Sequence, residues 1–241
     1  MVLFGSGKAQ YYVHVEVDPA AKNSPHAELI RLVGIGKDVL EVGSGMGHVT
    51  KVLKSLGNRV TCVELREDLA AIAQKYCNRM IVGDIEEINL CEVINRERFD
   101  VVTFGDVLEH LRDPVAVLRK VRPFLKAGGY VVASIPNIAH RSVRYALLLG
   151  EFNYEDEGLL DRTHLRFFTR TTIEDMFKES SYQIVDVVRI RNNSFLDHKI
   201  RHGISYSRRL SREVLKLCLK VGLRGEALTY QFVMKAVPTQ N

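Results

Sequence analysis

Short apolar, β-prone runs alternate with helical patterns along most of the chain. Val39, Leu40 and Val42 form the first run, Arg59 to Val63 the second, Met80 to Val82 the third and Phe99 to Phe104 the fourth. They are continuous rather than alternating, which predicts strands buried on both faces. Helical patterns begin at Lys51, span Asp68 to Tyr76, and run from Asp113-Pro114 through Val121. Lys126-Ala-Gly-Gly129 predicts a sharp turn into a fifth strand, Tyr130 to Ser134. A helix over Thr171–Lys178, a sixth strand over Tyr182–Ile190 and a last alternating strand over Leu228–Val237 follow. Upstream, Ser24 caps a helix with Pro25 in its first turn, and Gly34 stops it after Val33. Strands alternating with helices predict an α/β fold with a mostly parallel sheet covered on both faces. Ligands then bind outside the carboxyl ends of the strands.

Two stretches interrupt this rhythm. Residues 136–169 form an insertion rich in His, Arg, Tyr and acids, and residues 195–224 a basic, partly helical one. At 241 residues the chain reads as one domain, 1–241, with these insertions and an N-terminal segment, 1–33. Cys62, Cys77, Cys91 and Cys218 are scattered without a C-x-x-C pair, which predicts reduced thiols. There is no apolar run of membrane-spanning length and no signal pattern in Met1–Gln10. The expected location is cytoplasmic, with association at the inner membrane face open. The net charge of +5 is uneven: residues 189–224 hold ten Lys/Arg and two Asp/Glu, a net of +8, and the rest of the chain is near −3. The basic segment 197–224 alternates its charges with Leu210, Val214, Leu215, Leu217, Leu219 and Val221. It is read as core cover, a dimer face or a surface for anionic lipid. It lacks the interleaved aromatics of a nucleic-acid footprint, so no specific nucleic acid is expected.

The chemistry starts at the end of the first strand. Gly43, Gly45 and Gly47 stand at alternate positions before a helix, so the missing Cβ atoms let the backbone approach a ligand closely. A dinucleotide fingerprint, G-x-G-x-x-G, places its third glycine at 48; here residue 48 is His. Glu41 lies two residues ahead of the first glycine, where an acid repels a pyrophosphate but favours a sulfonium and an amine.

This E-x-G-x-G-x-G run resembles motif I of the class I S-adenosylmethionine (SAM) methyltransferases. The resemblance implies a Rossmann-like fold of seven strands with the last one antiparallel. It also implies a cofactor site of Glu41, Gly43, Ser44, Gly45, Gly47, Glu64, Leu65, Asp84, Ile85 and Phe104, with Tyr12 in a covering N-terminal segment. Glu64 ends strand two, where an acid accepts from ribose hydroxyls; Asp84 accepts from the adenine amine, and Ile85 packs on the ring. Phe99-Asp-Val-Val-Thr-Phe-Gly-Asp-Val-Leu-Glu-His-Leu-Arg-Asp-Pro114 is similar to the segment after strand four in ubiquinone- and methionine-biosynthesis-type methyltransferases. Pro123-Phe-Leu-Lys-Ala-Gly-Gly-Tyr130 resembles their L-x-P-G-G turn, with Ala127 in place of proline.

Methyl transfer to a hydroxyl requires alignment and removal of its proton, and histidine is the natural base near neutral pH. His110, past strand four, and His164, in the insertion, are the candidate bases, with Asp106 beside them. Asp106, Glu109, His110 and His164 also resemble the E-x-x-E-H plus downstream His of small-RNA 2′-O-methyltransferases, which bind a divalent metal. Asp106 is shorter than the glutamate of that pattern, and a metal is not expected. The block Pro136-Asn-Ile-Ala-His140, Leu147 to Tyr154 and Leu160-Asp-Arg-Thr-His-Leu-Arg-Phe-Phe-Thr169 resembles bacterial methyltransferases associated with surface-polysaccharide synthesis. That implies a sugar-like acceptor, on a nucleotide sugar or glycolipid, with Asn137, His140, Arg144, Tyr154, Asp161, Arg162 and Arg166 as substrate-side residues. The leading expectation is O-methylation with a histidine base. The alternatives are metal-assisted 2′-O- or quinone O-methylation, an NAD-dependent oxidoreductase, and a SAM-binding module without catalysis. The sequence does not fix the oligomeric state.

Overall fold

The structure is a computed structural model that describes residues 17–148, 150–191 and 225–239. The expectations for Tyr12 and for the basic segment 195–224 fall outside the described residues. The strands are β1 (Asp38–Val42), β2 (Arg59–Glu64), β3 (Arg79–Val82), β4 (Phe99–Gly105), β5 (Leu125–Pro136), β6 (Tyr182–Arg191) and β7 (Thr229–Pro238). They form one seven-stranded sheet in the order β3-β2-β1-β4-β5-β7-β6. The first five run parallel to one another, and β7 runs antiparallel between β5 and β6. From β1 the chain moves outward through β2 to β3, then returns to place β4 on the other side of β1. That reversal is the topological switch point, the place where open α/β sheets of this kind bind their ligands, at the carboxyl ends of β1 and β4.

The helices are α1 (Pro25–Val33), α2 (His48–Ser55), α3 (Glu67–Ala73), α4 (Leu90–Ile94), α5 (Pro114–Val121), α6 (Arg141–Leu148) and α7 (Arg170–Glu179). Ser24 caps α1 by accepting from the Ala27 amide, and Gly34, at φ 86°, ends it. α2 begins three residues earlier than the apolar pattern suggests, because Gly47 in the left-handed region turns the chain directly into helix. α4 and α6 are additions: α4 is one short turn capped by Asn89, and α6 lies within the 136–169 insertion. The expected turn at 126–129 lies inside β5. The ladder with β4 shifts register between Phe99 and Val101, and Gly128 takes φ 76°.

Apolar clusters cover both faces of the sheet. One gathers Leu40, Val42, Phe104, Leu118, Phe177 and Phe232; the other gathers Leu29, Val33, Val39, Leu53, Val60 and Val233. Truncating any of the three buried phenylalanines to Ala costs about 3–5 kcal/mol. Tyr130 on β5 donates to the carbonyls of Leu32 and Val33, fixing the end of α1 against the sheet. Among the described residues no helix is long and apolar enough to cross a membrane.

The insertion is tied to the core at several points. The amides of Leu165 and Arg166 both donate to the Glu109 carbonyl, at 2.9 and 3.0 Å. Asn137, fully buried, uses its side-chain amide on the carbonyls of Glu226 and Thr229, and its oxygen accepts from the Ala139 amide. These bonds carry the 136–169 segment back over the ends of β4 and β5.

Candidate active site

β1 runs directly into the turn Gly43 to Gly47. Its three glycines sit at φ 76°, 53° and 82°, a region that costs other L-residues roughly 1–2 kcal/mol each. A Cβ on Gly43 would stand 2.4 Å from Val107 Cγ2, and one on Gly47 3.1 Å from Ala73 Cβ, so these two are pressed against protein. A Cβ on Gly45 meets nothing within 4 Å among the described residues. Ser44 Oγ is buried and takes no bond within the described structure. A glycine-floored opening beside an orphaned hydroxyl fits a ligand with a polar end.

Glu64 reaches back across the turn: its Oε2 accepts from the Gly45 amide at 2.7 Å and its Oε1 from the Arg66 amide at 3.0 Å. Asp84 is half-buried and orders its own turn by accepting from the Glu86 amide. Exposed Leu65 adjoins Glu64. These three lie at or just beyond the carboxyl ends of β2 and β3. Glu41 does not face the turn. In a strand successive side chains alternate faces, and Glu41 shares the face of Val39, against which α2 packs. Its carboxylate accepts from Thr50 Oγ1 at 2.6 Å and from Cys62 Sγ at 3.6 Å. Burial pushes its carboxyl up to about 7, with the Glu64 charge adding to the rise. Glu41 therefore braces β1 against α2 and β2 instead of facing the turn. Phe104 and Ile85 are likewise core side chains, so neither lines the crevice with an open face.

Past β4, Leu108–His110 makes a single 3₁₀ turn. The stitching of Leu165 and Arg166 to Glu109 brings His164 onto His110, with ring centroids 4.8 Å apart. His110 Nδ1 lies 3.1 Å from the Thr163 carbonyl oxygen and 3.3 Å from Thr163 Oγ1. Thr163 Oγ1 donates to Asp161 Oδ1 at 2.6 Å, so Asp161 holds Thr163 in place against His110. Glu109 is 1 % exposed and neither of its oxygens is bonded within the described structure. Burial, with Asp106 and Asp161 nearby, pushes its carboxyl well above the usual range.

The ligand atoms of Glu109, His110 and His164 all lie within 4.8 Å of one another. Asp106, the fourth residue of the metal-binding pattern that the sequence resembles, is engaged elsewhere. Its Oδ1 accepts from Ser134 Oγ at 2.8 Å and from Gln231 Nε2, and its backbone is left-handed at φ 56°. Burial raises its carboxyl pKa, against the opposing pull of His26, Ser134, His110 and Gln231.

Of the substrate-side residues, Tyr154 is exposed and joins His164 through a run of ring contacts by way of Phe167. Arg144, Arg162 and Arg166 are exposed; Arg162 pairs with Asp156, and the Arg166 guanidinium donates to the Arg112 carbonyl. Asn137 and His140 have internal roles instead. The first closes the base of the insertion, and the second is fully buried with Nδ1 on Ser142 Oγ and its ring edge-on to Tyr230. Sequence reasoning missed Ser134, Thr163 and Gln231 as site-forming residues. Thr163 lay inside the recognised D-R-T-H run, whereas Gln231 is 125 residues from Asp106 and carried no signal.

Comparison with known proteins agrees with this geometry. A family model for a methyltransferase domain matches residues 20–187. A ubiquinone biosynthesis O-methyltransferase of Paraburkholderia xenovorans (strain LB400) is 30 % identical over 195 residues, covering 75 % of this chain and 83 % of that one. Among solved structures, a methyltransferase-like protein of Bacillus halodurans C-125 superposes with a TM-score of 0.60 at 18 % identity, over 89 % of this chain and 99 % of that one. A 1,6-didemethyltoxoflavin N1-methyltransferase of Burkholderia thailandensis, solved with bound S-adenosylhomocysteine, superposes at 0.57 and 18 %, over 91 % and 80 %. These relatives remove the oxidoreductase and non-catalytic alternatives. With a Rossmann-like sheet, a glycine turn open at Gly45 and acids at the ends of β2 and β3, the chain belongs to the methyltransferase-domain family and is a SAM-dependent methyltransferase.

Proposed function

We propose that the protein methylates an oxygen of a sugar-like or other small hydroxylated acceptor, with His110 as the general base. The carrying observation is the contact of His110 Nδ1 with the Thr163 carbonyl oxygen at 3.1 Å. A carbonyl only accepts, so Nδ1 carries the ring proton and the neutral ring keeps Nε2 as a proton acceptor. SAM supplies an electrophilic methyl group on a sulfonium. His110 Nε2 takes the acceptor's hydroxyl proton as the new C–O bond forms and the methyl leaves sulfur. The O-methyltransferase names among the relatives support an oxygen acceptor. The sugar-like class rests on the resemblance of the 136–169 segment, and exposed Tyr154 and Arg162 suit a ring face and its hydroxyls. A tritiated-methyl screen across nucleotide sugars, glycolipids, quinols and RNA tests it. Label on sugar-containing acceptors supports the reading; label only on quinols or RNA overturns the acceptor class.

A second reading, metal-assisted transfer, is favoured by Glu109. A buried carboxylate with no donor among the described residues calls for a proton or a cation, and two imidazoles converge beside it. Two His and one carboxylate suit zinc or manganese with a position left open. Glu109, His110 and His164 would then be ligands, and the metal would lower the acidity barrier of the acceptor hydroxyl. Methyl transfer unchanged by a strong chelator would leave His110 as the base.

A further inference from the structure

The cofactor carries an α-ammonium group at its amino-acid end, and the acid expected to meet it, Glu41, is turned into the core. The remaining acids of the crevice follow the sheet order. Asp84 lies just beyond β3, Glu64 ends β2, the glycine turn follows β1, and Asp106 follows β4. A ribose on Glu64 leaves the amino-acid end of the cofactor on the β4 side of the turn. The segment after β4 touches that turn, because Val107 packs directly over Gly43.

Asp106 is built for a fixed orientation. Its amide donates to Ser134 Oγ at 3.0 Å, and its side chain accepts from the same hydroxyl and from Gln231 of β7. Both donors fall on Oδ1; no hydrogen bond within the described structure falls on Oδ2. A left-handed backbone at a non-glycine residue is strained, and here β5 and β7 together hold it. Ser134 and Gln231 are themselves buried. Glu109, the other acid of this region, is sealed at 1 % exposure, whereas Asp106 is half-buried.

We propose that Asp106 Oδ2 receives the α-ammonium of the cofactor, and that Gln231 and Ser134 are positioning residues that aim it by holding Oδ1. A hydrogen bond between ionised partners in a site shielded from water is among the stronger ones. The inference rests on the cofactor and not on the acceptor proposed above, so it can fail while that reading stands, and the reverse.

Calorimetry with three probes tests it without an acceptor: S-adenosylhomocysteine, its analogue lacking the α-amino group, and 5′-methylthioadenosine, which lacks the whole amino-acid end. On the wild-type protein, loss of the amino group should weaken binding about 10- to 100-fold. In Asp106→Asn that penalty should shrink to a few-fold, with methylthioadenosine affinity unchanged. Gln231→Met keeps the volume and removes the donor. It should lower S-adenosylhomocysteine affinity in the same selective way by a smaller factor, and add little in the Asp106→Asn background. Glu41→Gln should leave the amino-group penalty intact. Equal binding of the amino and desamino compounds by wild type, or parallel losses for S-adenosylhomocysteine and methylthioadenosine in the variants, overturns the proposal. Equal binding of the two compounds by wild type overturns the proposal even where a variant does not fold.

Discussion

Thr163 holds His110 from the far side of the insertion: its carbonyl oxygen stands 3.1 Å from His110 Nδ1. The contact fixes which nitrogen is basic, and Asp161 in turn fixes Thr163 through its hydroxyl at 2.6 Å. His110→Ala should reduce methyl transfer by about 10²- to 10⁴-fold, while S-adenosylhomocysteine affinity, read by calorimetry, stays within a few-fold. His164→Ala should cost less if it only packs on His110. Equal, complete losses from both substitutions would point instead to shared metal ligation.

Gly45, in the turn after β1, stands at φ 53° with no atom of the described residues within 4 Å of an added Cβ. Gly45→Leu should therefore leave folding nearly intact, at a strain cost of roughly 1–2 kcal/mol, yet weaken SAM binding at least about 100-fold by filling the cradle. A thermal midpoint lowered by only a few degrees with lost calorimetric binding is the expected pair. Retained binding would mean that the cofactor does not lie over this glycine.

Continuous apolar strands and capped helices gave away most of the fold, because parallel strands buried on both faces leave a strong local signal. Short α4 was invisible, since a single turn has no periodicity to read. The candidate site could be placed from the sequence where it falls on a strand end or a glycine turn, as at Glu64 and Gly45. It was misread at Glu41, whose face is set by strand alternation and the docking of α2, and at Asn137, whose amide closes contacts to Glu226 and Thr229. Gln231 was silent because it sits on β7 while its partner follows β4, with β5 between them in the sheet. Spacing along the chain carries no information on such a pair.

Glu41 gives a pH signature. Its carboxyl is raised to about 7 in the folded state from an ordinary value of 4.5. The folded protein thus binds this proton more tightly than the unfolded chain. The stability it confers is present below about pH 4.5 and is lost as pH rises through about 7. The gap corresponds to about 3 kcal/mol. Glu41→Gln keeps an acceptor for Thr50 and removes the titration. Urea midpoints at pH 5 and pH 8 should show wild type losing more stability across that interval than the variant. Parallel losses would show that Glu41 is ionised at little cost, through water or a cation near Thr50 and Cys62.

The unbonded carboxylate of Glu109 separates the two catalytic readings. A ligand that binds only the folded state stabilises it by RT ln(1 + [L]/Kd), about 2.7 kcal/mol at a hundredfold excess over Kd. If Glu109, His110 and His164 take a divalent cation, adding Zn²⁺ or Mn²⁺ to chelator-treated protein should raise its thermal midpoint by several degrees. Glu109→Gln should abolish that rise, and His164→Ala should reduce it. Without a metal, burial holds the Glu109 carboxyl well above its ordinary range, and Glu109→Gln should match or exceed wild-type stability at pH 8, where ionising a buried carboxyl is most costly. A flat midpoint on metal addition combined with a more stable Gln variant assigns Glu109 to the core and the proton transfer to His110.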